Sequence, residues 1–429
     1  MFENNEGLVS RLLKRLWASL SLPLAYVILA SKSLGAWIKS VFTRIHLEKL
    51  GTPEAGSPIL LFAMWEYESV RPDVQRLFSV ARDLGFFIVA VNTGKLLGRD
   101  APKNVGVYLE IPNFGRDFAS YKAGFRFLYR MNWIQSASRL VMANDSIFYN
   151  PRGLKELLLE STNTAKEAFG ATENFEIERH LGSFFISLSP RVAAHRKVRR
   201  YWNTYRRTDL RSRVIKKGEL KFSKTLRQVV PEHRFGAKFS AALVATRLRE
   251  GGDEALSRFF ELTLESPGHR HWKKSRMVAV AEAWLQRHRA ALFRNGNAVQ
   301  LRVSDPSSFH LNAVTLFGIE QELIRLSSET PAEQIWESLR LVATDAALTS
   351  VLSGSPIHNS AGVLMDAGLP LVKLDLLYRG AASPGDLQKL QEFMEAREFE
   401  EFLDLVLARP FGEDTLRGWK LAAFLRGLI

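Results

Sequence analysis

From residue 51 onward, apolar runs of strand length alternate with segments whose apolar positions recur every three or four residues. That alternation is the pattern of a mostly parallel sheet covered by helices. Ile59 to Trp65 (ILLFAMW) reads as a buried strand, and the spacing of Val74, Leu77, Phe78 and Ala81 predicts a helix over residues 70–84. Phe86 to Val91, Val105 to Ile111 and Arg139 to Ala143 follow as strands, with a helix from about Phe118 to Met131 before the last of them. Phe184 to Leu188 reads as another strand and Arg191 to Arg207 as a strongly basic helix. Beyond Val230 the pattern turns helical. Helices are expected at Ala237 to Arg249, Ser275 to Phe293, Leu311 to Leu326 and Ala332 to Leu352, with only a brief extended piece at Val372 to Leu374. Three regions result: an amphipathic segment over residues 1–50, an α/β core over 51–225 and a mainly helical region over 226–429.

The first of these regions changes the picture most. Between Leu8 and Ile45 an apolar stretch carries Arg11, Lys14, Arg15, Lys32, Lys39 and Arg44 and no acidic residue. Its uncharged run, Leu16 to Ser31, is short for a membrane span, which needs about 20 apolar residues, and Pro23 is expected to interrupt it. A helix lying in the interface of an anionic leaflet fits the pattern, with Trp17 and Trp37 at headgroup depth. A helix packed on the protein's own core and an uncleaved signal anchor are the alternatives.

Composition adds bounds. The 429 residues are 46% hydrophobic and 24% charged, values of a folded chain with a large core. Cysteine is absent, which removes disulfides and thiolate chemistry and suits a cytoplasmic location. The net charge of +14 favours anionic partners: nucleic acid, acidic lipid or phosphate-bearing small molecules. Zinc-finger spacing and RNA-binding signatures are missing, so no nucleic acid is expected as a partner. Motifs for P-loops, dinucleotide folds, zinc proteases and serine hydrolases are missing as well.

In an open α/β sheet, ligands bind beyond the carboxyl ends of the strands. Asn92 to Gly94, Asn113 to Asp117 and Asn144 to Ser146 would gather along that rim. Asn113, Gly115, Arg116 and Asp117 combine a glycine allowing close backbone approach, a cationic fork for phosphate or carboxylate, and a carboxylate. Asp117 also suits a helix N-cap. Asn144, Asp145 and Ser146 directly follow the apolar run LVMA. They fit either a turn or a carboxylate that contacts sugar hydroxyls or ligates magnesium or manganese on a nucleotide diphosphate. Glu178 and His180 lie two apart, where strand periodicity would turn both to one face, the histidine as a base or a third metal ligand and the glutamate as a base or its orienter. The basic stretch from Arg191 to Arg227, interleaved with Tyr201, Trp202 and Tyr205, reads as a solvated face or as a surface for a lipid diphosphate or membrane.

Taken in order, NFGRDFASYKAG, RLVMANDSIFYNPRGLKELL, AFGATE, ERHLGSFFISLSPRV and RRYWNTYRR resemble the rhamnan synthesis protein F family. NSAGVLMDAGLPLVKLDLL, through Gly368, Pro370 and Lys373, resembles that family's carboxyl-terminal segment. The resemblance implies a glycosyltransferase with a GT-A-like, Rossmann-like nucleotide-sugar core. Such an enzyme builds rhamnan or related O-antigen and capsular chains at the cytoplasmic face of the inner membrane. It further implies a nucleotide-sugar donor, rhamnose or a related deoxyhexose favoured, and a glycan or lipid-linked acceptor. By position, Asn113, Gly115, Arg116, Asp117, Tyr121, Asn144, Asp145, Ser146, His180 and Ser183 would line the site. The chain departs from the pattern at Gly182, where glutamine is usual, at Phe184, where tyrosine is, and between Phe169 and Gly170, where a tryptophan is lacking.

Glycosyl transfer must stabilise a leaving diphosphate and deprotonate an acceptor hydroxyl. The expected roles are Asp145 for the nucleotide sugar or its metal, His180 assisting, Arg116 as a phosphate or hydroxyl clamp and Asp117 as base. A non-catalytic scaffold of an envelope polysaccharide assembly complex, with a degenerate transferase core, is the competing reading.

Overall fold

The computed structural model describes residues 8–42, 45–96, 102–264, 331–409 and 411–429. The helices expected at Ser275 to Phe293 and Leu311 to Leu326 lie outside them. Eleven strands are described: β1 (His46–Leu50), β2 (Ile59–Met64), β3 (Phe87–Asn92), β4 (Val107–Glu110), β5 (Leu140–Asn144), β6 (Ile147–Tyr149), β7 (Ala168–Asn174), β8 (His180–Leu181), β9 (Phe185–Leu188), β10 (Phe235–Phe239) and β11 (Leu371–Lys373). Nine of them form one mixed sheet in the order β1-β4-β3-β2-β5-β9-β7-β10, with β8 attached to β7, while β6 and β11 make a separate antiparallel pair. The centre, β4-β3-β2-β5, is parallel, whereas β9 runs antiparallel to both of its neighbours.

The sheet is covered on both faces, as the unbroken apolar strands require. In β2, Leu60, Phe62 and Met64 join one core cluster, and Ile59, Leu61 and Ala63 join the other. The helix α2 (Pro72–Asp83) and the helices Leu154–Asn163, Ala241–Leu262 and Ala332–Ser353 contribute to the first cluster. The helix α3 (Arg116–Arg130) and the basic helix Arg196–Thr204 contribute to the second. Gly124 lets α3 approach β2: a Cβ there would lie 2.2 Å from a Leu61 methyl.

The connection order sets the site. The chain steps from β2 outward through β3 and β4, then returns under α3 to β5 on the other side of β2. A topological switch point therefore lies between the carboxyl ends of β2 and β5, where open sheets form their ligand crevice.

Several expectations are corrected. The basic helix breaks into Pro190–Ala194 and Arg196–Thr204 because His195 is extended there and caps the second helix through Lys197 N–H. Residues 237–239 belong to β10, not to a helix; Phe235 and Phe239 turn inward, and Ser240 then caps Ala241–Leu262. The main sheet thus runs past the boundaries expected at 50 and 225, taking in β1 and β10. Pro23 does not interrupt the first helix, α1, which spans Leu8–Phe42. Ala25 of α1 packs with Ala423 and Leu428, against the helix Gly418–Leu425. No described helix is long and apolar enough to cross a membrane.

One ring cluster holds the α3 face together. Trp202 is fully buried, stacked on Phe125 at 4.5 Å and packed against Phe222 at 4.9 Å. Trp202→Ala should cost about 3–5 kcal/mol, the range for truncating a buried aromatic ring, read as a lower urea midpoint.

Candidate functional site

At the switch point the two strand ends are joined directly. Asp145, just past β5, accepts the Trp65 N–H at 2.5 Å through Oδ2. The next residue, Glu66, is fixed by its backbone: its N–H donates to Asn92 Oδ1 at 3.0 Å and its carbonyl accepts Asn92 Nδ2 at 2.9 Å. Gly94 closes the same latch through its N–H to Asn92 Oδ1 at 2.9 Å, and a Cβ at Gly94 would meet the Glu66 carbonyl oxygen at 2.1 Å. The Glu66 side chain is left at the rim, 3.8 Å from Arg71.

Arg71 itself is committed. It pairs with the buried Asp73 at 3.0 Å and donates to the carbonyls of Asp145 at 2.6 Å and Ile147 at 2.9 Å. The turn between β5 and β6 is therefore clamped, and Asp145 has little freedom.

Asn144 organises the other side. Its Nδ2 donates to Asp117 Oδ2 at 2.9 Å, and its Oδ1 accepts the Ser146 hydroxyl at 2.6 Å. Lys373 from β11 donates to Ser146 Oγ at 2.7 Å and lies 5.9 Å over the Phe184 ring. Tyr121 is fully buried beneath this group and donates to the Ser183 carbonyl at 3.0 Å. Both Tyr121 and Ser183 are buried and hold the floor of the rim.

Asp117 is not the N-cap of α3. Gly115 takes that position at φ 104°, and Asp117 sits inside the first turn with its carboxylate turned to Asn144. The left-handed backbone continues at Arg116, whose φ is 52°. Asn113 is exposed beside Tyr67, with Nδ2 at 3.4 Å from its hydroxyl.

Glu178 and His180 do not share a strand face. Asn174 Oδ1 accepts the Glu176 N–H at 2.8 Å and ends β7 in a turn, which leaves Glu178 exposed in a bend and starts β8 only at His180. His180 is buried; Nδ1 meets the Glu178 carbonyl at 2.7 Å and Nε2 faces Glu219 at 3.9 Å. The departures at positions 182 and 184 prove to be linked, because a Cβ at Gly182 would lie 2.4 Å from the Phe184 ring.

Burial dominates the site's acid–base character. It pushes the Asp145 carboxyl up to about 6, with Asp117 adding to the rise and Arg71 opposing it. Burial likewise pushes Glu66 up to about 7, against the pull of Arg71. Tyr121 is held well above its ordinary value by burial and by Asp117. Glu66 follows the apolar run of β2 in WEYE and is a strand-end residue by the same pattern as those near residues 92, 113 and 144, whereas Arg71 joins the site only through contacts across the fold. Among the described residues no three His, Cys, Asp or Glu side chains are grouped to hold a divalent ion, and one Asp145 oxygen is already occupied by Trp65.

No family model matches the chain. A stretch of 159 residues is 26% identical to "Virulence protein VirA" of Vibrio anguillarum strain ATCC 68554 / 775, covering 36% of this chain and 50% of that protein. The same protein recorded for Vibrio anguillarum without strain matches to the same extent. The chain spans about half the length of these curated relatives.

The raised carboxyls predict a specific pH dependence. Their folded-state values lie above the ordinary carboxylate range near 4, so the stability they contribute is complete below that range and is lost as pH rises through about 6 to 7. Glu66→Gln should therefore raise the melting temperature at pH 8 by roughly 1 °C for each kcal/mol gained, the shift expected in a chain of this size, and leave it near wild type at pH 4. Thermal melts at the two pH values check this, and equal shifts at both would count against the assigned origin.

Proposed function

We propose that the chain is a glycosyltransferase with a GT-A-like core. It transfers a sugar, rhamnose or a related deoxyhexose favoured, from a nucleotide-sugar donor to a growing cell-surface polysaccharide or a lipid-linked acceptor. The observation that carries this reading is the meeting of Glu66, Asp117, Asn144, Asp145 and Lys373 at the switch point of an α/β sheet. A crevice there with fixed carboxylates and one cation provides groups for sugar hydroxyls, for a departing phosphate and for an acceptor proton.

In this reading the acceptor oxygen attacks the anomeric carbon as its bond to the diphosphate breaks. Lys373 and Arg116 offset the charge that develops on the leaving group, and Asp145 and Asn144 orient the sugar. Glu66 becomes the stronger candidate to take the proton, because its carboxyl is poised near neutrality while an Asp117 oxygen is engaged by Asn144. Asp117 then acts as a positioning residue for Asn144. No step is assigned to magnesium or manganese.

The scaffold reading draws support from His180, which faces the Glu178 carbonyl and Glu219. Turnover separates the two. Purified protein should hydrolyse a nucleotide sugar such as dTDP-rhamnose slowly and transfer its sugar faster when acceptor is present. Glu66→Gln should lower transfer by about 10²–10⁴-fold, the range for loss of a general base, and Asp145→Asn should abolish the stabilisation that nucleotide sugars give in thermal shift. Absence of both hydrolysis and nucleotide-sugar binding in the wild type would favour the scaffold.

The proposal includes a peripheral position on an anionic membrane, at the cytoplasmic face of the inner membrane. Its support is α1, where Leu20, Leu24 and Val27 are 70%, 55% and 65% exposed on a segment without acidic residues. The full chain should sediment with vesicles containing phosphatidylglycerol and not with pure phosphatidylcholine. Leu20→Glu with Val27→Glu should release most of it.

A further inference from the structure

Beside the carboxylate rim, three arginines from distant parts of the chain converge. Arg116 opens α3 next to Asp117 and donates from Nε to the Asp209 carbonyl at 3.1 Å, while the Asp209 carboxylate accepts the Gly115 N–H at 2.6 Å. Two residues later, Arg211 donates its backbone N–H to the Leu428 carbonyl at 3.3 Å, and its guanidinium passes Gly427, where an added Cβ would sit 3.5 Å away. Arg379 reaches the same carboxyl-terminal turn, donating to the Ile429 carbonyl at 2.7 Å. The turn thus ties Arg211 to Arg379, and residue 209 ties Arg211 to Arg116.

The carboxylates around these cations are shared with other groups, and among the described residues only Arg379 forms an ion pair with one of them. Asp209 holds Gly115, Asp117 holds Asn144, Glu219 faces His180, and Asp375 is shared between His358 at 3.1 Å and Arg379 at 3.2 Å. Among the described residues no group accepts a hydrogen bond from the Arg211 guanidinium. Burial lowers both Arg116 and Arg211 from the usual guanidinium value, and the charge of Arg379 lowers each further. Like charges brought together in a partly dried surface, with the Arg211 donors unspent, call for an anion.

We infer that Arg116, Arg211 and Arg379 form a binding site for a diphosphate, seated next to the carboxylate rim. Guanidinium forks match paired phosphate oxygens, and two phosphates span more than one fork as a single carboxylate does not. The site stands on its own as an anion site. Only the source of the diphosphate, a nucleotide-sugar donor or a lipid-linked acceptor, rests on the transferase reading.

The test uses the full chain and inorganic pyrophosphate, titrated calorimetrically at fixed ionic strength without any sugar nucleotide. Wild type should bind, and Arg211→Gln and Arg379→Gln should each weaken binding tenfold or more, whereas Lys49→Gln, a charge loss on exposed β1, should not. Arg211→Lys should retain part of the affinity, and circular dichroism melts ensure that folded variants are compared; if one Gln variant unfolds, Arg116→Gln serves in its place. Equal affinity in wild type and the folded Gln variants would overturn the site, as would equal weakening by Lys49→Gln. Competition by dTDP assigns the diphosphate to the donor, and competition by farnesyl diphosphate alone assigns it to the acceptor. Pyrophosphate binding without any nucleotide-sugar turnover would reject the transferase and keep the site.

Discussion

The hydrogen bond from Trp65 N–H to Asp145 is the constraint on which the crevice depends. At the switch point the chain leaves β2 toward β3 on one side while β5 lies on the other, so no connection joins the two strand ends. These ends would otherwise be free to splay. A carboxylate accepting a backbone N–H at 2.5 Å closes that gap with one charge-assisted bond. It also places a buried acid where ionisation is costly, which is why Asp145 titrates high.

The rest of the rim is built to keep that acid still. Arg71 holds the two carbonyls that flank the β5–β6 turn, and its partner Asp73 accepts the Tyr149 N–H at 3.2 Å from the strand beyond. A fully buried carboxylate such as Asp73 is tolerated only with its oxygens satisfied, and here Oδ1 accepts from Arg71 Nε while Oδ2 accepts from both Arg71 and the Tyr149 N–H. The arrangement favours a fixed shape over raw stability. Asn92 does the equivalent service on the neighbouring strand with a neutral amide, binding both backbone groups of Glu66.

The central strands were legible in the sequence because strands buried on both faces must be continuously apolar, and ILLFAMW and FFIVAV admit few other readings. Asp117, Asn144, Asp145 and Ser146 could be placed together because each follows such a run. His180 could not be located by spacing, since a period of two applies only inside a strand, and a turn at Asn174 delays that strand until His180 itself. The break at His195 and the strand at Phe235–Phe239 were hidden for a related reason: short basic or small-residue segments satisfy helix and strand patterns equally, and tertiary pairing decides. Glu66 was visible in principle as a polar residue at a strand end. Arg71, Arg211 and Arg379 were not, because their roles arise from contacts across the fold.

Lys373 reaches Ser146 across 227 residues of sequence, carried by the pairing of β11 with β6. A ribosome delivering this chain releases the carboxylates long before the lysine that faces them. The crevice therefore stays chemically unfinished through most of translation, and the growing polypeptide carries an acidic half-site whose cation arrives with the last structural layer. Timing of assembly, and not only its geometry, is thus written into the order of the strands.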